Sequence, residues 1–253
     1  MEVEDYKRKI THTDYGKGET GLQQYAHGVD KVITEKKFFT ISKELLEKDK
    51  RFFANDNYIK IPTFSNYLPY IVGGVALVMI IIYLTSFDQD WDFIDILFFS
   101  ISCIAFVFFA VYLFTMPKKE QILNRKDGLI TFTGFYWQPN VTMAFTNAIF
   151  SYSTGSEDAT GSFMLQVIRP TKGYTFELFG AGGGDCYDDI SFITWYMDKN
   201  RPLPPGDAFD QYRKKDFERR KAEGFPRPLY PSNIPTPEAT IEQQKEREKI
   251  GGW

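Results

Sequence analysis

Few residue groups in this chain are of a type and spacing that could do chemistry. Asp185, Cys186, Asp188 and Asp189 follow the glycine-rich stretch 180–184, placing one thiol and three carboxylates behind backbone amides that could cradle an anion. The adjoining carboxylates repel phosphate. Acidic residues at a helix start are favoured by the exposed N–H groups and the helix dipole, so Asp185 is expected to open a helix rather than a reaction site. Cys186 has no histidine near it in sequence, and the chain's two histidines, His12 and His27, leave little material for a metal centre. The stretch Tyr15 to Gly21 carries three glycines but lacks the Gly-Lys-Ser/Thr ending of a phosphate-binding loop, and no apolar strand precedes it. It is expected to be a loop. The basic run Tyr212 to Lys215 with Arg219 to Lys221 is interleaved with Asp210, Asp216, Glu218 and Glu223, a pattern expected of a solvated helix. These residues point to binding rather than catalysis, with no cofactor and no bound metal.

The elements that position them come in two kinds. The 253 residues are 43% apolar and 25% charged with a net charge of −3, which gives no basic excess for tracking nucleic acid. The mean hydropathy of −0.31 hides two uncharged apolar blocks in a polar remainder. Leu68 to Phe87 is one block, long enough at 1.5 Å per residue to cross a hydrocarbon core of about 30 Å. Ile96 to Met116 is the other, rich in phenylalanine and stopped by Pro117, Lys118 and Lys119. The short acidic connection Asp88 to Asp92 makes the two an antiparallel hairpin. Lys48, Lys50, Arg51 and Lys60 precede the first block and Lys118, Lys119, Arg125 and Lys126 follow the second, while the connection has no basic residue. Both termini are therefore expected on the cytoplasmic side of the membrane. Tyr70, Trp91, Lys118 and Lys119 are expected at the membrane interface, and Gly73, Gly74, Ala76 and Ala110 where the helices approach closely. No cleavable signal peptide is visible in the polar first thirty residues.

The flanking regions read as a polar N-terminal part, residues 1–67, with short strands near Val32-Ile33 and Phe38 to Ile41 and a helix from Lys43 to Arg51. After the hairpin of residues 68–116, residues 117–200 alternate in period two between turn signals, as an antiparallel sheet does. Strands are expected at Gln121 to Asn124, Leu129 to Phe132, near Phe135 to Trp137, and over Thr142 to Tyr152, Phe163 to Ile168 and Tyr174 to Phe179, with a helix from Asp185 to about Asn200. A curved meander closed by one helix is the expected fold, and it resembles the pleckstrin-homology type at the level of the fold. Eight of the thirteen prolines lie between Pro202 and Pro237, so the tail, residues 201–253, should run extended before a last helix capped by Thr236.

The order of two-span hairpin, Asn124-Arg-Lys-Asp-Gly-Leu-Ile-Thr-Phe132, Trp195-Tyr-Met197, Pro202-Leu-Pro204 and Gly224-Phe-Pro226 resembles a family of bacterial inner-membrane proteins met near type VI secretion effector and toxin genes. The resemblance covers roughly residues 60 to 235. It implies a place in the bacterial inner membrane and an immunity protein that binds and neutralises a cognate toxin, with a membrane-anchored secretion adaptor as the alternative. It supplies no catalytic residues and no oligomeric state.

Overall fold

The computed structural model describes residues 8–16, 27–36, 53–61, 63–86, 91–153, 164–171, 175–179 and 185–253. They divide into two compact units: residues 63–120 with 133–140, and the rest of the chain. The expected helix over 43–51, the strand over 38–41, the glycine run 180–184 and most of the acidic connection lie outside the described residues.

Among the described residues the larger unit holds nine short strands: β1 His27–Val29, β2 Phe53–Ala54, β3 Tyr58–Ile61, β4 Gln121–Asn124, β5 Leu129–Phe132, β6 Val141–Ala144, β7 Phe150–Ser153, β8 Met164–Ile168 and β9 Phe176–Leu178. They form two antiparallel sheets, β2-β3-β4-β5-β6 and β1-β7-β8-β9, so the fold is α+β. The expected single run from Thr142 to Tyr152 is two strands, one in each sheet. Asn147 and Ala148 donate their backbone N–H groups to Ala144 O and turn the chain between them. Met143, Phe145 and Phe150 all end in the same core, but the odd step of five positions from Phe145 to Phe150 breaks the alternation at that turn. The β4–β5 turn is built by Asn124, whose side chain bonds both the backbone and the carboxylate of Asp127, and by Gly128 at φ +68°.

Among the described residues the first helix of this unit, Cys186–Met197, packs Ile190, Ile193 and Tyr196 into the core with Leu123, Ile130, Leu165 and Val167. Ten of its twelve residues are buried, so something must cover it on the side away from the sheets. The tail does so. Trp195 Nε1 donates to Pro202 O, and Ser232 bridges in parallel to Ile33, which is itself fully buried. The helix ends at Met197, short of Asn200, because the carboxylate of Asp198 turns back to accept from the backbone N–H of Asn200. The tail is less extended than its prolines suggest. It holds helices at Asp210–Ala222 and Ile241–Gly251, the second capped by Thr240, whose hydroxyl accepts from Gln243 N, and not by Thr236.

In the smaller unit, α1 (Leu68–Thr85) and α2 (Phe93–Thr115) form the apolar hairpin, and the three helices just described are accordingly α3, α4 and α5. Helix α2 starts three residues before Ile96 because Asp92 and Asp95 make a reciprocal capping box with each other's backbone N–H groups. Residues 133–140, expected as a strand near Phe135, instead form a turn. Tyr136 stands at φ +41°, a conformation no strand can use.

Candidate functional site

Three places in the described residues bring chemically capable groups together. The first is the hairpin and its attached loop. Both helices are long and apolar enough to cross a membrane. Only Pro69 and Ala76 of α1 and Ser102 and Tyr112 of α2 are buried, whereas Val75 is 60%, Ile104 70% and Phe114 86% exposed. A Cβ built on Gly73 would lie 3.6 Å from Phe109 Cβ, so this glycine lies at the helix contact, with Ala76 buried one turn on. Gly74 meets nothing within 4 Å and is exposed, which removes it from the expected contact set. Ala110 is half-buried. Trp91 sits against Tyr83 and Phe99 at ring separations of 5.6 and 5.2 Å, and its indole N–H points to Ser86 O at 3.4 Å, closing the far end of the hairpin. Tyr70 is 62% exposed.

At the near end Lys118 is exposed and pairs with Glu120, but Lys119 is 3% exposed. Its ammonium donates to Gly134 O at 2.7 Å and Gln138 O at 2.9 Å, so it organises the loop instead of facing an interface. This corrects its expected role. A buried ammonium needs such acceptors, and the loop carbonyls supply them. Gly134 is the residue that makes the turn possible, since a Cβ there would fall 2.1 Å from Pro139 O.

The second place was not legible in the sequence: a buried arginine–carboxylate network in the larger unit. Arg125, at the end of β4, donates to Tyr196 O at 2.8 Å, to Arg201 O at 2.7 Å and to Asp216 Oδ1 at 3.1 Å. Asp216 also accepts from Arg220 Nε at 2.9 Å. Arg220 then grips Glu238 with both terminal nitrogens, at 2.7 and 2.8 Å, and Arg247 of α5 reaches the same carboxylate at 3.2 Å. Asp216 and Arg220 were expected on a solvated helix, but both are buried, as is Phe217 between them. That phenylalanine, with Tyr212 packed against the core, is the local signal that α4 has an inward face. Burial alone would raise the Asp216 carboxyl, yet Arg125, Arg220 and Arg219 outweigh it and hold the group below its ordinary value. Burial likewise would lower Arg220, but hydrogen bonding to Glu238 and the nearness of Asp216 leave it raised. A parallel clasp forms where Asp198, fully buried, takes Arg201 Nε and the backbone N–H groups of Leu229 and Tyr230. The geometry is that of a staple: Asp216 and Glu238 accept from arginines, and Asp198 from an arginine and backbone N–H groups.

The third place is a cleft of about 380 Å³ between Gly28–Lys31 and Ala148–Phe150. Lys31 Nζ lies 5.3 and 5.9 Å from the ring centres of Phe145 and Phe150 and donates to Thr146 O at 2.8 Å. Burial lowers its ammonium to about 8, against a smaller opposing pull from Asp30.

The expected helix start at Asp185 is present, its carboxylate accepting from Tyr187 N at 2.8 Å. Cys186 is fully buried, and burial followed by the neighbouring Asp185 raises its thiol to about 11, which keeps it protonated at neutral pH. Among the described residues no three of His, Cys, Asp and Glu converge as a metal site. No family model, curated protein or solved structure matches the chain.

Proposed function

We propose that this is a membrane-spanning binding protein, in which α1 and α2 cross a bacterial inner membrane as a hairpin with both flanks cytoplasmic, and that it acts as an immunity protein neutralising a secreted toxin. The observation that carries the membrane part is the exposure of the hairpin. An apolar core helix of a soluble protein is covered by its own chain, whereas here two long apolar helices leave most of their surface uncovered, a surface that water would penalise and acyl chains would not. The absence of basic residues between the helices and their presence on both flanks supports the orientation.

Binding is favoured over catalysis by the way the buried charges of the larger unit are consumed by one another. The two antiparallel sheets and the helix α3 packed on their core are consistent with a pleckstrin-homology-type module, the class expected from the strand pattern. The toxin-neutralising role rests on the resemblance of the motifs between Asn124 and Pro226. A connection of a few residues between the helices offers far less than the roughly 800 Å² per partner of an ordinary interface, so the toxin is met in the bilayer or the cytoplasm.

Reporter fusions at residue 66, residue 90 and the C-terminus should read cytoplasmic, periplasmic and cytoplasmic; a periplasmic C-terminus refutes the orientation. Co-expression with the toxin of the neighbouring gene should rescue growth and leave secretion intact. Lost secretion without rescue would make the chain an adaptor.

A further inference from the structure

The loop 133–140 connects two paired strands, β5 and β6, yet belongs to the same compact unit as the hairpin. Its tip is aromatic. Phe135 and Trp137 are each 45% exposed, and Tyr136 between them is held at φ +41°, a conformation a bulky residue adopts only when its surroundings impose it. The surroundings are the last turns of α2. Trp137 packs on Phe108 and Tyr112 at ring separations of 5.5 and 5.0 Å, and its indole N–H donates to Thr115 Oγ1 at 2.8 Å. Lys119 pins the loop from the other side through Gly134 O and Gln138 O. The tip therefore cannot move independently of the helix end.

From this geometry we infer that Phe135 and Trp137 form a second membrane contact, seated in the headgroup–acyl boundary of the leaflet where α2 ends, with lipid as the occupant; the inference rests on the spanning hairpin proposed above. Depth is the argument. A helix of 23 residues is about 34 Å long, so one centred in a hydrocarbon core of about 30 Å leaves Thr115 at its edge. The bond to Thr115 puts the indole at that level, where tryptophan is favoured. Trp137 also continues the uncovered apolar surface of α2, through Phe108, which it packs on and which is 40% exposed. In water such a patch would be costly; at the boundary its apolar bodies enter lipid while the loop carbonyls stay bound to Lys119.

The test uses the full chain in liposomes, in a Cys103→Ala, Cys186→Ala background, with a nitroxide on Phe135→Cys, Ile104→Cys or Glu218→Cys. Accessibility to oxygen and to a water-soluble nickel chelate is then measured. Phe135 should be several-fold less accessible to the chelate than Glu218 and intermediate in oxygen between Glu218 and Ile104. A label at 135 as open to the chelate as at 218, with 104 in lipid, overturns the inference and leaves the spanning hairpin standing. If 104 is itself open to the chelate, the spanning reading fails first. Shielding of 135 from both reagents assigns the patch to protein contact, such as a second copy, and also overturns it. Independently of any label, lipids brominated near the headgroup should quench the parent's tryptophan fluorescence more than that of Trp137→Phe; equal quenching overturns the lipid contact.

Discussion

Arg125 and Asp216, 91 positions apart, meet at 3.1 Å with each side chain 2% exposed. The pair ties the β4–β5 hairpin to α4, and through Arg220 and Glu238 to the segment that leads into α5.

Truncating Arg125 to Ala should destabilise the larger unit by about 3–5 kcal/mol, because Asp216 would lose a buried partner. Asp216→Ala should cost as much, since it strands Arg125 and Arg220 together. In the double variant the two losses should sum to clearly more than the observed total, read from urea unfolding of the solubilised protein. Simple additivity would show that the pair is not coupled.

Acid should weaken the same clasp. The folded Asp216 carboxyl lies below its ordinary value of 3.8, so the unfolded chain binds the proton first and the group's stabilisation, complete above 3.8, is lost as pH falls from there through the lower folded value. Asp216→Asn should remove this part of the acid limb. An unchanged limb in that variant would mean that other carboxylates carry it.

Lys31 behaves in the opposite sense. Its folded ammonium titrates at about 8 against 10.5 in the open chain, so between those values the unfolded state holds more protons and stability should rise with pH. Lys31→Met should flatten the rise between pH 8 and 10. Carbon-13 methylation of the amine, followed by NMR, should give a midpoint near 8; a midpoint above 10 would remove the desolvation argument.

In the hairpin, Gly73→Leu should drive α1 from α2 at Phe109, at a cost of about 1–3 kcal/mol, while Gly74→Leu points into open space and should be tolerated. Folded yield in detergent separates the two. Equal loss at both positions would contradict the observed helix face.

Gly134→Ala should break the loop that carries Phe135 and Trp137, because no side chain fits 2.1 Å from Pro139 O. Faster protease cleavage within 133–140 than in the parent is the expected sign. Unchanged cleavage would mean that the turn relaxes without releasing its bonds to Lys119.

The sequence by itself determined the elements whose signals are local. Uncharged runs as long as a bilayer is thick mark α1 and α2, alternation and turn residues such as Gly128 mark the β4–β5 hairpin, and Asp185 marks the start of α3. Each depends on neighbours a few positions apart, which is the range over which backbone periodicity and capping act. Only the tertiary structure decided that Gly73 and not Gly74 meets the other helix, because one residue is a turn of about 100° and the amphipathic signal of an all-apolar helix is too weak to choose. It alone decided that Lys119 is buried in a loop 15 positions on, and that the Thr142 to Tyr152 run splits between two sheets. Charge interleaving along α4 is the pattern of a solvated helix, and in the chain itself nothing distinguishes Asp216 from Glu218. The difference is made by Arg125 and Glu238, brought to one side of α4 by strands and loops far away in sequence, where burial makes each ion pair depend on all its partners at once.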